Sequence, residues 1–136
     1  MSRENVETVR RIYEAVARRD AKSVLALYDP EVEWDMSRGA FGDLEGGRIE
    51  HGHEGLRSWF REQYEVWQEW EDTPDELIDA GEHVVSVVTS RSRGRTSGAD
   101  VESHHAAVWT LRDGKVVRVT WFPTRAEALR AAGVAE

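Results

Sequence analysis

The chain has 136 residues, enough for one compact core, with a formal net charge of −8, no cysteine and six tryptophans. The acidic balance argues against general nucleic-acid binding and against anionic membranes. The lack of cysteine excludes disulfides and thiolate chemistry and is expected of a reducing, cytoplasmic setting.

No apolar run is long enough to span a bilayer, and the charged start MSRENVETVRR has none of the apolar stretch of a secretory signal. Residues 1–136 are expected to form a single domain. Residues 2–19 read as an amphipathic helix that Ser2 can cap, with Val6, Val9, Tyr13, Val16 and Ala17 on one face. Asp20 can cap a second, short helix carrying Val24, Leu25, Leu27 and Tyr28. Asp29-Pro30 is expected to end it, because proline disfavours a helical residue before it. Glu31–Asp35 then alternates as a short strand. Met36–Gly52 holds five glycines without a period and reads as a loop of the length usually tied to function.

His53–Trp70 returns to helical spacing, with Leu56, Trp59, Phe60, Tyr64, Trp67 and Trp70 along one stripe. Strands follow: Leu77–Asp79, an Ala80-Gly81 turn, His83–Ser92, a polar connection over Arg93–Asp100, and a long hairpin from Val101 to Phe122. Asp113-Gly114 tolerates the positive φ angles of a tight hairpin turn. Thr124 and Glu127 have capping-box spacing for a last helix that Gly133 is placed to end. Helices first and strands after predict an α+β fold, with helices on one face of a curved antiparallel sheet.

Three stretches, ENVETVRRIYEAVARRDAKSVLALYDPEVEW, GHEG and VWTLRDGKVVRV, together resemble the SnoaL-like polyketide cyclase family of the nuclear-transport-factor-two-like (NTF2-like) superfamily. The resemblance spans almost the whole chain. It implies a cystatin-like α+β roll, a curved sheet wrapped around helices into a cone-shaped barrel. The superfamily includes polyketide cyclases, ketosteroid isomerases, epoxide hydrolases, dehydratases and non-catalytic binders, so fold alone does not choose a reaction.

The resemblance matches Tyr13 to the oxyanion-hole tyrosine of ketosteroid isomerase and Asp35 to its general base. A carboxylate beside an apolar cavity can take a proton next to a carbonyl while a phenol stabilises the enolate. The plain alternative is a core tyrosine and a solvated strand-end aspartate. Ala107 falls where the isomerase has a protonated aspartate, which argues against that reaction.

The same match points His105, Ala107, Trp109 and Leu111 into the cone and His104, Ala106, Val108 and Thr110 outward. His105 is then a candidate base or donor, or a hydrogen-bonded core histidine. On the second hairpin arm, Val117, Val119 and Trp121 alternate with polar residues and are expected inside. Trp34, Trp59, Trp109, Val119 and Trp121 either wall a small-molecule site or fill a core. The family's usual pairing implies a homodimer through the outer hairpin face, whose Ala106 and Val108 are too apolar for water.

His51 and His53 have metal-like spacing but no evident third ligand, so no metal is expected. Arg91, Arg93 and Arg95 alternate as a solvated edge. No Gly-x-Gly-x-x-Gly, phosphate-loop or Gly-x-Ser-x-Gly sequence occurs, so neither a nucleotide cofactor nor covalent acyl chemistry is expected.

Three functions remain open. One is a cofactor-independent cyclase, isomerase or hydrolase of an apolar carbonyl compound, with Asp35 or His105 as acid/base group and Tyr13 as donor. The second is a non-catalytic binder of a small apolar ligand, and the third a structural homodimer with a filled cone. An interior no larger than a water would favour the last and argue against the other two.

Overall fold

The structure, a computed structural model, describes residues 2–38 and 48–134. In chain order it contains α1 (Ser2–Ala17), α2 (Ala21–Ala26), β1 (Tyr28–Asp35), β2 (Ile49–His51), α3 (Gly52–Val66), β3 (Trp67–Ala80), β4 (His83–Gly94), β5 (Asp100–Arg112), β6 (Lys115–Phe122) and α4 (Arg125–Ala131). Among the described residues one sheet has the strand order β2-β1-β6-β5-β4-β3. All its pairs are antiparallel except β1 with β6. No described helix is long and apolar enough to cross a membrane.

Helix α1 buries Val9, Ile12 and Tyr13, while Ala17, expected on that face, is exposed. The side chain of Ser2, the expected cap, lies outside what is described. The helix ends in a Schellman motif: Asp20 N–H reaches the Ala15 carbonyl and Arg19 N–H that of Val16, with Arg19 at φ 56°. Asp20 does cap α2, accepting from Ser23 N–H. Proline does not end that helix. Leu27 closes it, and Pro30 lies inside β1, where the β1–β6 register shifts between Tyr28 and Glu33. A residue without an N–H is accommodated where the ladder is already broken.

Of the expected loop Met36–Gly52, residues 39–47, including Gly39, Gly42, Gly46 and Gly47, lie outside the described residues. Beyond them Ile49–His51 pairs with β1 and Gly52 opens α3.

The long helix stops at Val66, earlier than its periodicity suggests. Trp67 is already extended, and Trp67–Ala80 pairs with β4 along nearly its whole length. Helical spacing from Leu56 to Trp70 thus runs past the true boundary, because the strand pairing satisfies more backbone groups than another helical turn. Strand β3 lies at the sheet edge, which is where Pro74 is tolerated.

The hairpin turns at Asp113 and Gly114 with φ 54° and 76°, so both residues have the positive φ of a type I′ turn. Inward-facing residues Ala107, Trp109 and Leu111 oppose Trp121, Val119 and Val116. Val116, rather than the expected Val117, faces in. A β-bulge between Thr110 and Leu111 inserts one residue and reverses the alternation beyond it.

Two cores result. The larger lies between α1, α2, α3 and the inner face, and includes Tyr13, Tyr28, Trp34, Trp59, Trp109 and Trp121. The smaller lies on the outer face, where Ala128 and Leu129 of α4 cover Val85, Ala106, Val108 and Phe122. Ala106 and Val108, the outer-face residues expected to need a partner chain, are therefore kept from water by the chain's own last helix.

Candidate functional site

The inner face of the sheet presents side chains two residues apart. On β3 these are Trp70 and Asp72; on β4, Ser86, Val88 and Ser90; on β5, His105, Ala107 and Trp109. Helices α1 and α3 add Ile12, Tyr13, Trp59 and Phe60 from the opposite side. Their rings interlock: Trp34 lies 5.1 Å from Trp59 and 5.6 Å from Trp121, and Tyr13 5.6 Å from Trp109 in edge-on contact. The rings leave a cavity of about 20 Å³. That is room for about one water.

Within this apolar wall stand two small polar groups of side chains. In the first, Ser86 Oγ accepts from Trp109 Nε1–H at 2.9 Å and shares a 3.0 Å hydrogen bond with the Tyr13 hydroxyl. Burial pushes the phenols of Tyr13 and Tyr28 well above their ordinary value, so both stay neutral.

In the second, the Ser90 hydroxyl donates to Asp72 Oδ1 and lies 3.3 Å from His105 Nε2. A hydroxyl has a single proton. Once Ser90 gives it to Asp72, His105 must donate through Nε2–H, and its Nδ1 is left as an acceptor. Burial raises the Asp72 carboxyl to about 6, against the hydrogen bonds from Ser90 and Trp70 that pull it down. Burial lowers His105 to about 4, with a smaller contribution from His104, so its imidazole is neutral at pH 7. Its ring stands edge-on to Trp121 at 4.9 Å.

Four further polar atoms, Tyr28 Oη and the Nε1 atoms of Trp34, Trp59 and Trp121, are buried without a partner among the described residues. All four residues line the same cavity. A buried donor left unpaired costs about 1–3 kcal/mol, so these four groups are the ones a polar atom entering the cavity would meet.

The structure brings Tyr13, Trp34, Trp59, Trp109 and Trp121 together around this cavity. Val119 packs in the same core, between Trp34 and Trp109 in the ladder. His105 joins through Ser90 and Trp121. Asp35 does not join them. Trp34 points in, so its strand neighbour points to the other face, where Asp35 Oδ1 accepts from Ser37 N–H at 2.9 Å and Oδ2 lies 3.6 Å from Arg118.

Asp72 falls between the expected helix, which runs to Trp70, and the expected strand from Leu77, so sequence reasoning does not single it out. The spacing Trp70-x-Asp72-x-Pro74 has the period of a strand and was the available signal. Of the other candidates, His53 donates to the Tyr28 carbonyl at 3.0 Å and His51 is exposed at the start of α3. Arg91 and Arg93 pair across strands with Glu102 and Asp100.

A second, larger cleft of about 330 Å³ opens between α1, α2 and α3. Val16, Val24, Leu25, Phe60 and Tyr64 form its apolar walls, and Arg19, Arg57 and Arg61 stand around them. Val16 and Phe60 line both the cleft and the inner cavity, so they form the partition between the two.

The SnoaL-like domain family matches residues 9–119 of the chain. Among solved structures, the chain is similar to an NTF2-like protein of unknown function from Burkholderia pseudomallei. Identity is 31%, covering 93% of this chain and 95% of that one, with a TM-score of 0.78. An NTF2-like protein from Burkholderia thailandensis is 26% identical over 96% of this chain and 98% of its own, with a TM-score of 0.76. TerC, co-crystallised with polyporic acid, shares the fold at 24% identity and a TM-score of 0.77, over 96% of this chain and 98% of its own. No curated protein sequence matches the chain.

Proposed function

The chain belongs to the SnoaL-like domain family and has the NTF2-like cone fold, and from that premise we propose that it is a cofactor-independent acid/base enzyme acting on a small, largely apolar carbonyl compound. Asp72 is the proton-transferring group, Ser90 and His105 position it, and Tyr13 and the buried indole N–H groups donate to the substrate's oxygens.

Asp72 carries this reading. It is a carboxyl in an aromatic cavity with no cationic partner among those that shift it, held near 6 by burial. A base works best when its pKa lies close to the working pH, and here most of the population is ionised at pH 7. Strongly shifted groups facing a cavity are candidates for function because a merely structural site gains nothing from an enclosed charge. The neutral phenol of Tyr13 faces the same space and can stabilise a developing enolate oxygen. A substrate reaches this space from the cleft by displacing the Phe60 and Val16 side chains that divide the two.

The interior, with room for about one water, favours a second reading, a filled cone without turnover in which any small molecule is held only in the outer cleft. Deuterium exchange into the α-carbon of 2-tetralone in D2O, followed by NMR, separates the two. Acceleration by the native chain and its loss in Asp72→Asn support the enzyme. A rate equal to the buffer background leaves the binder.

A further inference from the structure

We infer that the cleft between α1, α2 and α3 takes a ligand that carries an anionic group, a carboxylate on an aromatic or alicyclic body, with Arg19 and Arg61 holding the charge. This names the substrate class for the proposed enzyme and rests on reading the cleft as its entrance.

The chain as a whole has a net charge of −8, yet three arginines surround this one apolar cleft against a single carboxylate, Asp20. Asp20 is already committed. It accepts from Ser23 N–H at 3.2 Å and from Ser23 Oγ at 2.6 Å, and these bonds hold its carboxyl below the usual range. Arg57 is paired with Glu54 at 2.7 Å. Arg19 and Arg61 have no acidic partner among the described residues.

Arg19 also occupies a position that favours glycine. Its φ of 56° is left-handed, and a non-glycine residue there is strained. Its guanidinium is held 4.9 Å above the Tyr64 ring at the cleft wall. Arg61 rises from α3 one residue after Phe60, the partition side chain. A planar guanidinium favours carboxylate over a neutral group through paired N–H donors. The apolar wall of Val24, Leu25, Phe60 and Tyr64 fits the body of such a ligand.

Calorimetric titration of the native chain with 2-naphthoate and with its uncharged analogue 2-naphthamide tests this without requiring turnover. The carboxylate is expected to bind at least about tenfold more tightly than the amide, as one charge-assisted hydrogen-bonded pair implies. That preference should collapse in Arg19→Gln and in Arg61→Gln. Arg61 lies on an exposed helical surface, so its variant is expected to fold. Equal affinity for the two compounds, saturation by neither, or a preference that survives in the double variant overturns the inference. Naphthoate binding without 2-tetralone exchange would uphold the anion site and remove turnover of uncharged ketones; exchange without a charge preference would uphold the enzyme and remove the anion site.

Discussion

Asp72 of β3 and Ser90 of β4 are partners in the same antiparallel ladder, and the Ser90 hydroxyl donates to the Asp72 carboxylate on the inner face of the sheet. His105, one strand further, completes the chain of hydrogen bonds from the other side of the serine. The two titratable ends are both shifted by burial, in opposite directions, and each shift keeps the group closer to neutral.

That opposition gives a pH signature. Asp72 binds its proton more tightly folded than unfolded, so its contribution is full below about pH 4 and is lost as pH rises through about 6. His105 binds its proton less tightly folded, so its contribution is full above about 6.5 and is lost as pH falls toward about 4. Between pH 4 and 6 the two slopes oppose one another in the native chain. Relative to it, Asp72→Asn should lose stability on acidification across that window and His105→Gln should gain it. Each difference amounts to about 2 kcal/mol. Urea unfolding at half-unit pH steps reads the slopes directly, and variants with slopes of the same sign would refute the pairing.

The second polar group of side chains predicts an asymmetry. Ser86→Ala strands both the Tyr13 hydroxyl and the Trp109 N–H in the core, a cost of about 2 kcal/mol or more. Tyr13→Phe leaves Trp109 bonded to Ser86 and should cost about 1 kcal/mol. Denaturant midpoints of the two variants with unchanged m-values check the order.

Helix α4 closes the outer face, and Leu129, 1% exposed, is its anchor. Leu129→Ala should cost about 2–5 kcal/mol. Leu129→Asp should lift the helix and uncover Val85, Ala106 and Val108, a contiguous apolar strip that promotes association. Light scattering at micromolar concentration should report a larger particle for the charged variant than for the native chain.

Much of the fold was readable from local chemistry. Asp113-Gly114 specified its turn, Asp20 and Thr124 their caps, and the alternation of β5 its inner and outer faces, because each rests on interactions between near neighbours. The misplaced helix end and the reversed face of β6 depend on distant partners. Helical spacing from Leu56 through Trp70 was real but was overridden at Trp67 by β4. The bulge that turns Val116 inward leaves no mark on the alternation. Within the site, the aromatic wall was legible because large rings need burial. Asp35 was misplaced because a residue next to inward-facing Trp34 on one strand faces away. Asp72 could be recognised only once β3 was known to begin before it.

The most direct test of Asp72 as the working group is the pH dependence of 2-tetralone exchange for the native chain, Asp72→Asn and Asp35→Asn. The native rate should rise through an apparent pKa near 6. It should fall by about a hundredfold or more in Asp72→Asn, as loss of a general base implies, and persist in Asp35→Asn. Full activity in Asp72→Asn, or loss confined to Asp35→Asn, would contradict the account.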